Sequence, residues 1–216
     1  MKDIFSIVGP AIPETLYMVF VSTALALLIG LPIAVIMVLT REDGLSENRF
    51  IYRILDGIVN VLRSFPFVIL ILVVFPLSRF IVGKAIGTTA AIVPLTVAAA
   101  PFVARLMEST FLEVDKGLIE AAKAMGSTNS QIVWKVLIPE AMPSIVHGIT
   151  MTLINVVSYS AMAGILGGGG LGDVASRYGY QRNQLDILWA SVLVIIVMVQ
   201  IVQFVGNRLA EAINKK

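Results

Sequence analysis

Cysteine is missing altogether and histidine occurs once, at His147, in a chain of 216 residues. The first absence removes disulfides, thiolate metal sites and thiol catalysis, and it leaves the redox compartment unreadable. The second argues against a histidine-built metal centre. Charge is scarce too: 14% of residues are charged, and a formal net charge of +2 is too small for a nucleic-acid footprint. No G-x-x-x-x-G-K-[ST] stretch occurs, so the chain is expected neither to bind nor to hydrolyse ATP. No G-x-S-x-G elbow supplies a serine for His147, and the acid pairs Glu42 with Asp43 and Glu113 with Asp115 read as solvated surface beside cations. An enzymatic role lacks its acid, base and metal constellations.

What the chain has in abundance is apolar length. Hydrophobic residues make up 57% and the mean hydropathy is +0.91, which marks an integral membrane protein. A crossing helix needs about 20 mostly apolar residues. Stretches 15–39, 58–77, 87–103, 145–166 and 185–205 qualify, and all are read as helices, giving an all-α single domain over 1–216. Gly9, Pro10 and Pro13 precede the first run, which is too long for a signal-peptide core and lacks a cleavage site. The N-terminal residues are therefore expected to remain and to lie along the interface.

Cation placement sets the expected orientation. Arg41, Arg49, Arg53, Arg63, Arg105, Lys116, Lys123, Lys135, Arg208, Lys215 and Lys216 fall on one side, against Lys2, Arg79, Lys84, Arg177 and Arg182 on the other. The first side is assigned to the cytoplasm with the C-terminus, and the N-terminus is placed outside. Pro32, Pro66, Pro76, Pro94 and Pro101 interrupt the apolar runs, as a gate or simple packing would both allow. No inverted repeat is visible. Five spans are too few to enclose a solute path, so a dimer is expected.

The polar stretch 106–143 is the most patterned part. Phe111, Leu112, Val114, Leu118, Ile119, Ala122 and Met125 recur at helical spacing, and Gly126 supplies a left-handed stop. Thr128 and Gln131 form a capping box for a second short helix, whose apolar side is read as Ile132, Val133, Trp134, Val136 and Leu137. Pro139 and Pro143 are expected to end it. The result is a compact hairpin in which Ala121 and Ala122 let a partner approach the backbone while Glu120 offers a charge. A plain surface hairpin fits the same pattern.

Glu120, Ala121, Ala122, Gly126, Val136, Ile138 and Pro139 resemble the EAA loop of permease subunits from bacterial importers driven by ATP-binding cassette (ABC) ATPases. Val136 and Ile138 stand where isoleucine and leucine are commoner. Arg63-Ser64-Phe65-Pro66-Phe67, Ala91-Ile92-Val93-Pro94-Leu95-Thr96, Tyr159-Ser160-Ala161-Met162, Gly168-Gly169-Gly170-Leu171-Gly172-Asp173 and Arg177-Tyr178-Gly179-Tyr180 extend the likeness to the methionine importer permeases over nearly the whole chain. The resemblance implies a five-helix permease of a bacterial inner membrane, importing D- or L-methionine by alternating access. It further implies a second copy of the chain, two cytoplasmic ATPase subunits that hold ATP and magnesium, an external methionine-binding lipoprotein, surrounding lipid, and no cofactor in this chain. The hairpin would then be the element that docks on the ATPase.

Polar groups inside a span usually face a cavity or another helix. Asn155, Ser158, Tyr159 and Ser160, with Met162 beyond them, are the candidate solute path, although interhelical bonding accounts for them equally well. Ser64, Asn60 and Thr96 are weaker candidates. Gly167, Gly169 and Gly172 satisfy G-x-G-x-x-G but follow an apolar helix instead of a strand, so they read as a tight turn. Two alternatives share these features: the same architecture carrying another solute, and a non-transporting scaffold that docks a cytoplasmic partner.

Overall fold

The computed structural model describes residues 2–214. Lys215, Lys216 and the side chain of Lys2, which entered the orientation argument, lie outside the described residues. Every regular element among those described is helical: α1 (Lys2–Thr40), α2 (Arg49–Ser64), α3 (Phe67–Val82), α4 (Thr88–Leu112), α5 (Lys116–Ala124), α6 (Asn129–Ile132), α7 (Ile138–Ala163), α8 (Gly170–Val174) and α9 (Leu185–Ile213). π-helical turns at Val133–Leu137, Gly164–Gly168 and Ala175–Tyr180 join several of them. Four helical runs are long and apolar enough to cross a membrane, and α2 with α3 forms a bent fifth candidate.

Small residues explain how the central helices meet. Ser22, Ala26, Gly30 and Ala34 recur every fourth position on α1, and all but Gly30 are fully buried as side chains. A Cβ at Gly30 would lie 2.7 Å from the Ala100 carbonyl oxygen and from Val103 Cβ, so the α1 and α4 backbones are in direct approach. The Ser22 hydroxyl donates to the Ile92 carbonyl at 3.5 Å across this seam. α7 completes the core: Gly148 sits against Met107, and Val156, Val157 and Ala163 join Leu95, Ala99 and Val103 in one apolar cluster.

Four expectations need correction. α1 begins at residue 2 and runs unbroken through Pro10 and Pro13, because Val8 and Ala11 are buried against Leu171, Val174 and Ile187 and that packing outweighs the lost backbone bonds. The expected 58–77 span is broken: α2 and α3 meet at 105° around Phe65 and Pro66. Phe65 is extended (φ −70°, ψ 125°), as a residue before proline prefers, and Pro66 has no amide to continue the ladder. α4 continues to Leu112 because Met107 and Phe111 are buried in the core, and the pairing of Arg105 with Glu108 lies along this extension, which narrows the polar connection. Pro139 and Pro143 do not end the hairpin's second helix; a 40-residue run extends from Asn129 to Gly168. The Ile138 amide reaches back to the Val133 carbonyl, and this wider turn directly before Pro139 accommodates its ring and missing donor within the continuous run.

Candidate functional site

The hairpin α5–α6 is built from local capping chemistry. The Asp115 carboxylate accepts the Gly117 amide at 2.7 Å to start α5. At its end the Ser127 amide bonds the Ala122 carbonyl at 3.1 Å and the Gly126 amide bonds the Lys123 carbonyl at 2.9 Å, a Schellman stop. Gly126 takes φ +79° there. Thr128 and Gln131 then exchange bonds in a full capping box, 3.3 Å from the Gln131 amide to the Thr128 hydroxyl and 2.9 Å back.

Glu120, Ala121, Gly126 and Pro139 are exposed, and Val136 and Ile138 are half-buried. Ala122 is buried and packs inward, so Ala121 alone of the two alanines lies on the outer surface. Trp134 also departs from expectation: it is 69% exposed instead of lining the apolar side, and Met125 is 79% exposed nearby. These two large side chains add an apolar component to the hairpin surface. Their signal in the sequence was an unusual one, a tryptophan and a methionine inside the most polar stretch of an apolar chain.

On α7, Asn155, Ser158, Tyr159 and Met162 fall at three- and four-residue spacing on one face, with Ser158 and Met162 exposed and Asn155 and Tyr159 half-buried. Ser160 is not among them. It is buried and its hydroxyl donates to the Val157 carbonyl at 2.7 Å. The break between α2 and α3 carries Arg63, Phe65 and Phe67 to this face, where they line a recess of about 220 Å³ with Phe102, Asn155 and Tyr159. The Phe67 and Tyr159 rings stack with centroids 4.4 Å apart. Arg63, read from the sequence as a cation of the cytoplasmic side, lies in the last turn of α2 beside the recess. The weaker candidates scatter: Ser64 donates to the Asn60 carbonyl, and Thr96 is buried in α4.

Asn60 belongs to a polar cluster between α2 and α4. Arg105 bonds Asp56, Asn60 and Glu108, Asn60 bonds Asp56 at 3.1 Å, and the Tyr52 hydroxyl donates to Glu108 at 3.2 Å. At the other end of the bundle the glycine run is a turn between helices. Gly167, Gly169 and Gly170 have φ of +96°, +79° and +73°. The Gly170 amide donates to Glu14 at 2.8 Å, the Leu171 amide to the Thr15 hydroxyl at 2.9 Å, and the Gly87 amide to the Gly167 carbonyl at 2.9 Å.

Residues 26–216 match the model of the binding-protein-dependent transport system inner membrane component family. The chain belongs to that family. The permease is 51% identical over 203 residues to the probable D-methionine transport system permease protein MetI of Vibrio cholerae, covering 94% of this chain and 90% of the relative. It is 41% identical over 181 residues to the methionine import system permease protein MetP of Bacillus subtilis, covering 84% and 82%. Its fold matches a chain of the inward-facing MetNI methionine ABC transporter with a TM-score of 0.98 and 44% identity over the full length of both. An amino acid ABC transporter solved with histidines shares the fold at a TM-score of 0.75 and 20% identity. The all-helical permease architecture and its place in a bacterial inner membrane follow from these matches together with the helices described above.

Proposed function

We propose that this permease is the membrane subunit through which an ABC importer carries methionine, with the hairpin α5–α6 receiving the motion of a separate ATPase. Full-length likeness to a MetNI chain at 44% identity is the observation that carries the reading. The names of the relatives from Vibrio cholerae and Bacillus subtilis support the same solute. In this reading two copies of the chain enclose the path, the hairpin faces the cytoplasm with the C-terminus, and a solute-binding protein delivers methionine from outside. Glu120, Ala121, Gly126, Pro139, Met125 and Trp134 form the docking surface, while Ala122, Val136 and Ile138 hold its shape from within. Asn155, Ser158, Tyr159 and Met162 face the solute, and Ser160 supports their helix. ATP and magnesium belong to the partner.

Membrane vesicles containing this permease with its ATPase and binding protein should accumulate labelled methionine only with ATP. Competition by the D and L forms and by other amino acids then separates methionine from another solute. A docking scaffold without transport predicts no uptake and no solute-dependent ATP hydrolysis.

Gly126 gives a sharper test. No atom lies within 4 Å of a Cβ built there, so a side chain fits in space and the cost is the left-handed backbone alone. Gly126→Val should leave insertion intact and lower uptake by roughly 5- to 30-fold, the equivalent of about 1–2 kcal/mol of backbone strain. Gly126→Asn, which tolerates that backbone, should keep most activity.

A further inference from the structure

The hairpin is fastened to a second segment at the same end of the bundle. The Asn129 side-chain amide donates to the Leu45 carbonyl at 3.1 Å and to the Ser46 hydroxyl at 2.7 Å. Its target loop, residues 41–48, is itself folded. The Ser46 amide bonds the Leu39 carbonyl and the Asn48 amide bonds the Thr40 carbonyl, each at 2.9 Å. Arg49 bridges Glu42 and Glu47, both at 2.8 Å. Asn48 then caps α2 by accepting the Ile51 amide at 3.2 Å.

From that cap α2 runs past the Arg105 cluster, which clamps it to α4, and ends at Arg63 and Phe65 on the recess shared with Asn155 and Tyr159. α2 therefore links the loop that Asn129 holds to the face of α7. Of the two covalent routes, one joins α5 to α4 through residues 113–115, and the other enters α7 through the π-helical turn at Val133–Leu137.

We propose that Asn129 is a positioning residue for transport: it latches the hairpin to the 41–48 loop so that α2 moves with the hairpin and carries that motion to the recess. This rests on the coupling reading above. Asn129 would thus give the importer a further mechanical route, beside the covalent ones through α4 and α7.

Asn129→Asp separates this role from helix initiation. Position 129 opens α6 just after its cap, where an acidic side chain favours the helix. A residue that only starts the helix would tolerate aspartate, whereas a latch loses the bond to the Leu45 carbonyl, sets a carboxylate against that oxygen, and keeps only a reversed bond from the Ser46 hydroxyl. Amide exchange in the purified chain should quicken across residues 41–52 in the variant. In vesicles holding the permease with its ATPase and binding protein, methionine taken up per ATP hydrolysed should fall roughly fivefold, the ratio expected for losing about one net hydrogen bond.

The chain has no cysteine of its own. Ser46→Cys with Asn129→Cys, joined by a short reducible crosslinker, should restore the ratio until reductant is added. Unchanged exchange overturns the latch whatever the transport assay gives. Quickened exchange with an unchanged ratio, in a complex that transports, overturns its role in coupling. Failure of the wild-type complex to take up methionine counts against the transport reading, and the exchange measurement still decides the latch.

Discussion

Arg105→Ala is expected to destabilise the folded permease by about 3 kcal/mol, read from the denaturation midpoint of the detergent-solubilised chain. The magnitude follows from what stays behind. Arg105 Nη1 lies 2.7 Å from Glu108 Oε2, and the Glu108 side chain is only 4% exposed. Without the guanidinium that carboxylate keeps a single bond, from Tyr52. Removing one partner of a buried pair costs about 3–5 kcal/mol, and the lower end applies because Arg105 and Asp56 are 25% and 33% exposed and partly screened by solvent. Arg105→Lys should recover part of the loss, since an ammonium keeps the charge but cannot span Asp56, Asn60 and Glu108 as a planar fork does. Adding Glu108→Gln to Arg105→Ala should also recover stability, because it removes the stranded charge. If the single variant melts like the parent, the cluster is not what holds α2 on α4.

Gly172→Ala should be at least as damaging, against the usual sign for a helical glycine. Replacing glycine by alanine inside a helix normally stabilises by roughly 0.5–1 kcal/mol. Gly172 lies in α8, yet a Cβ there would sit 2.1 Å from the Ala161 carbonyl oxygen and 2.6 Å from its Cα. Both are backbone atoms, so relief requires moving α7 away from α8, at the upper end of or above the roughly 1–3 kcal/mol typical of overpacking. Because the clash is with main chain, Ala161→Gly should fail to rescue it. Gly57→Ala provides the control: nothing lies within 4 Å of that Cβ, and α2 should become more stable by roughly 0.5–1 kcal/mol. Equal melting of Gly172→Ala and the parent would show that the α7–α8 contact is looser than the structure has it.

The contrast between these two glycines marks where sequence reading stops. Apolar length pointed to the four helices long enough to cross, and local rules gave the hairpin: the Gly126 stop and the Thr128–Gln131 box depend on neighbours a few residues away. Pro66 was visible as a proline in an apolar run, but whether it kinks or breaks depends on what receives the two halves. Here Phe67 stacks on Tyr159 and Asp56 meets Arg105, contacts no local pattern encodes. Ser160 and Ser158 are two residues apart and chemically alike, and only the burial of one face decides which of them is open. Trp134 departs for the converse reason: hydrophobicity argues for burial, yet the folded chain leaves this side chain exposed.

The contact of Glu14 and Thr15 with the amides of Gly170 and Leu171 reaches beyond the bond itself. Both acceptors precede residue 26, where the family match begins, yet the turn they finish lies inside it. Chimeras that exchange opening segments between relatives must therefore preserve an acceptor pair at these two places. Otherwise two main-chain donors are stranded in a region built of glycine, which has no side chains to replace them.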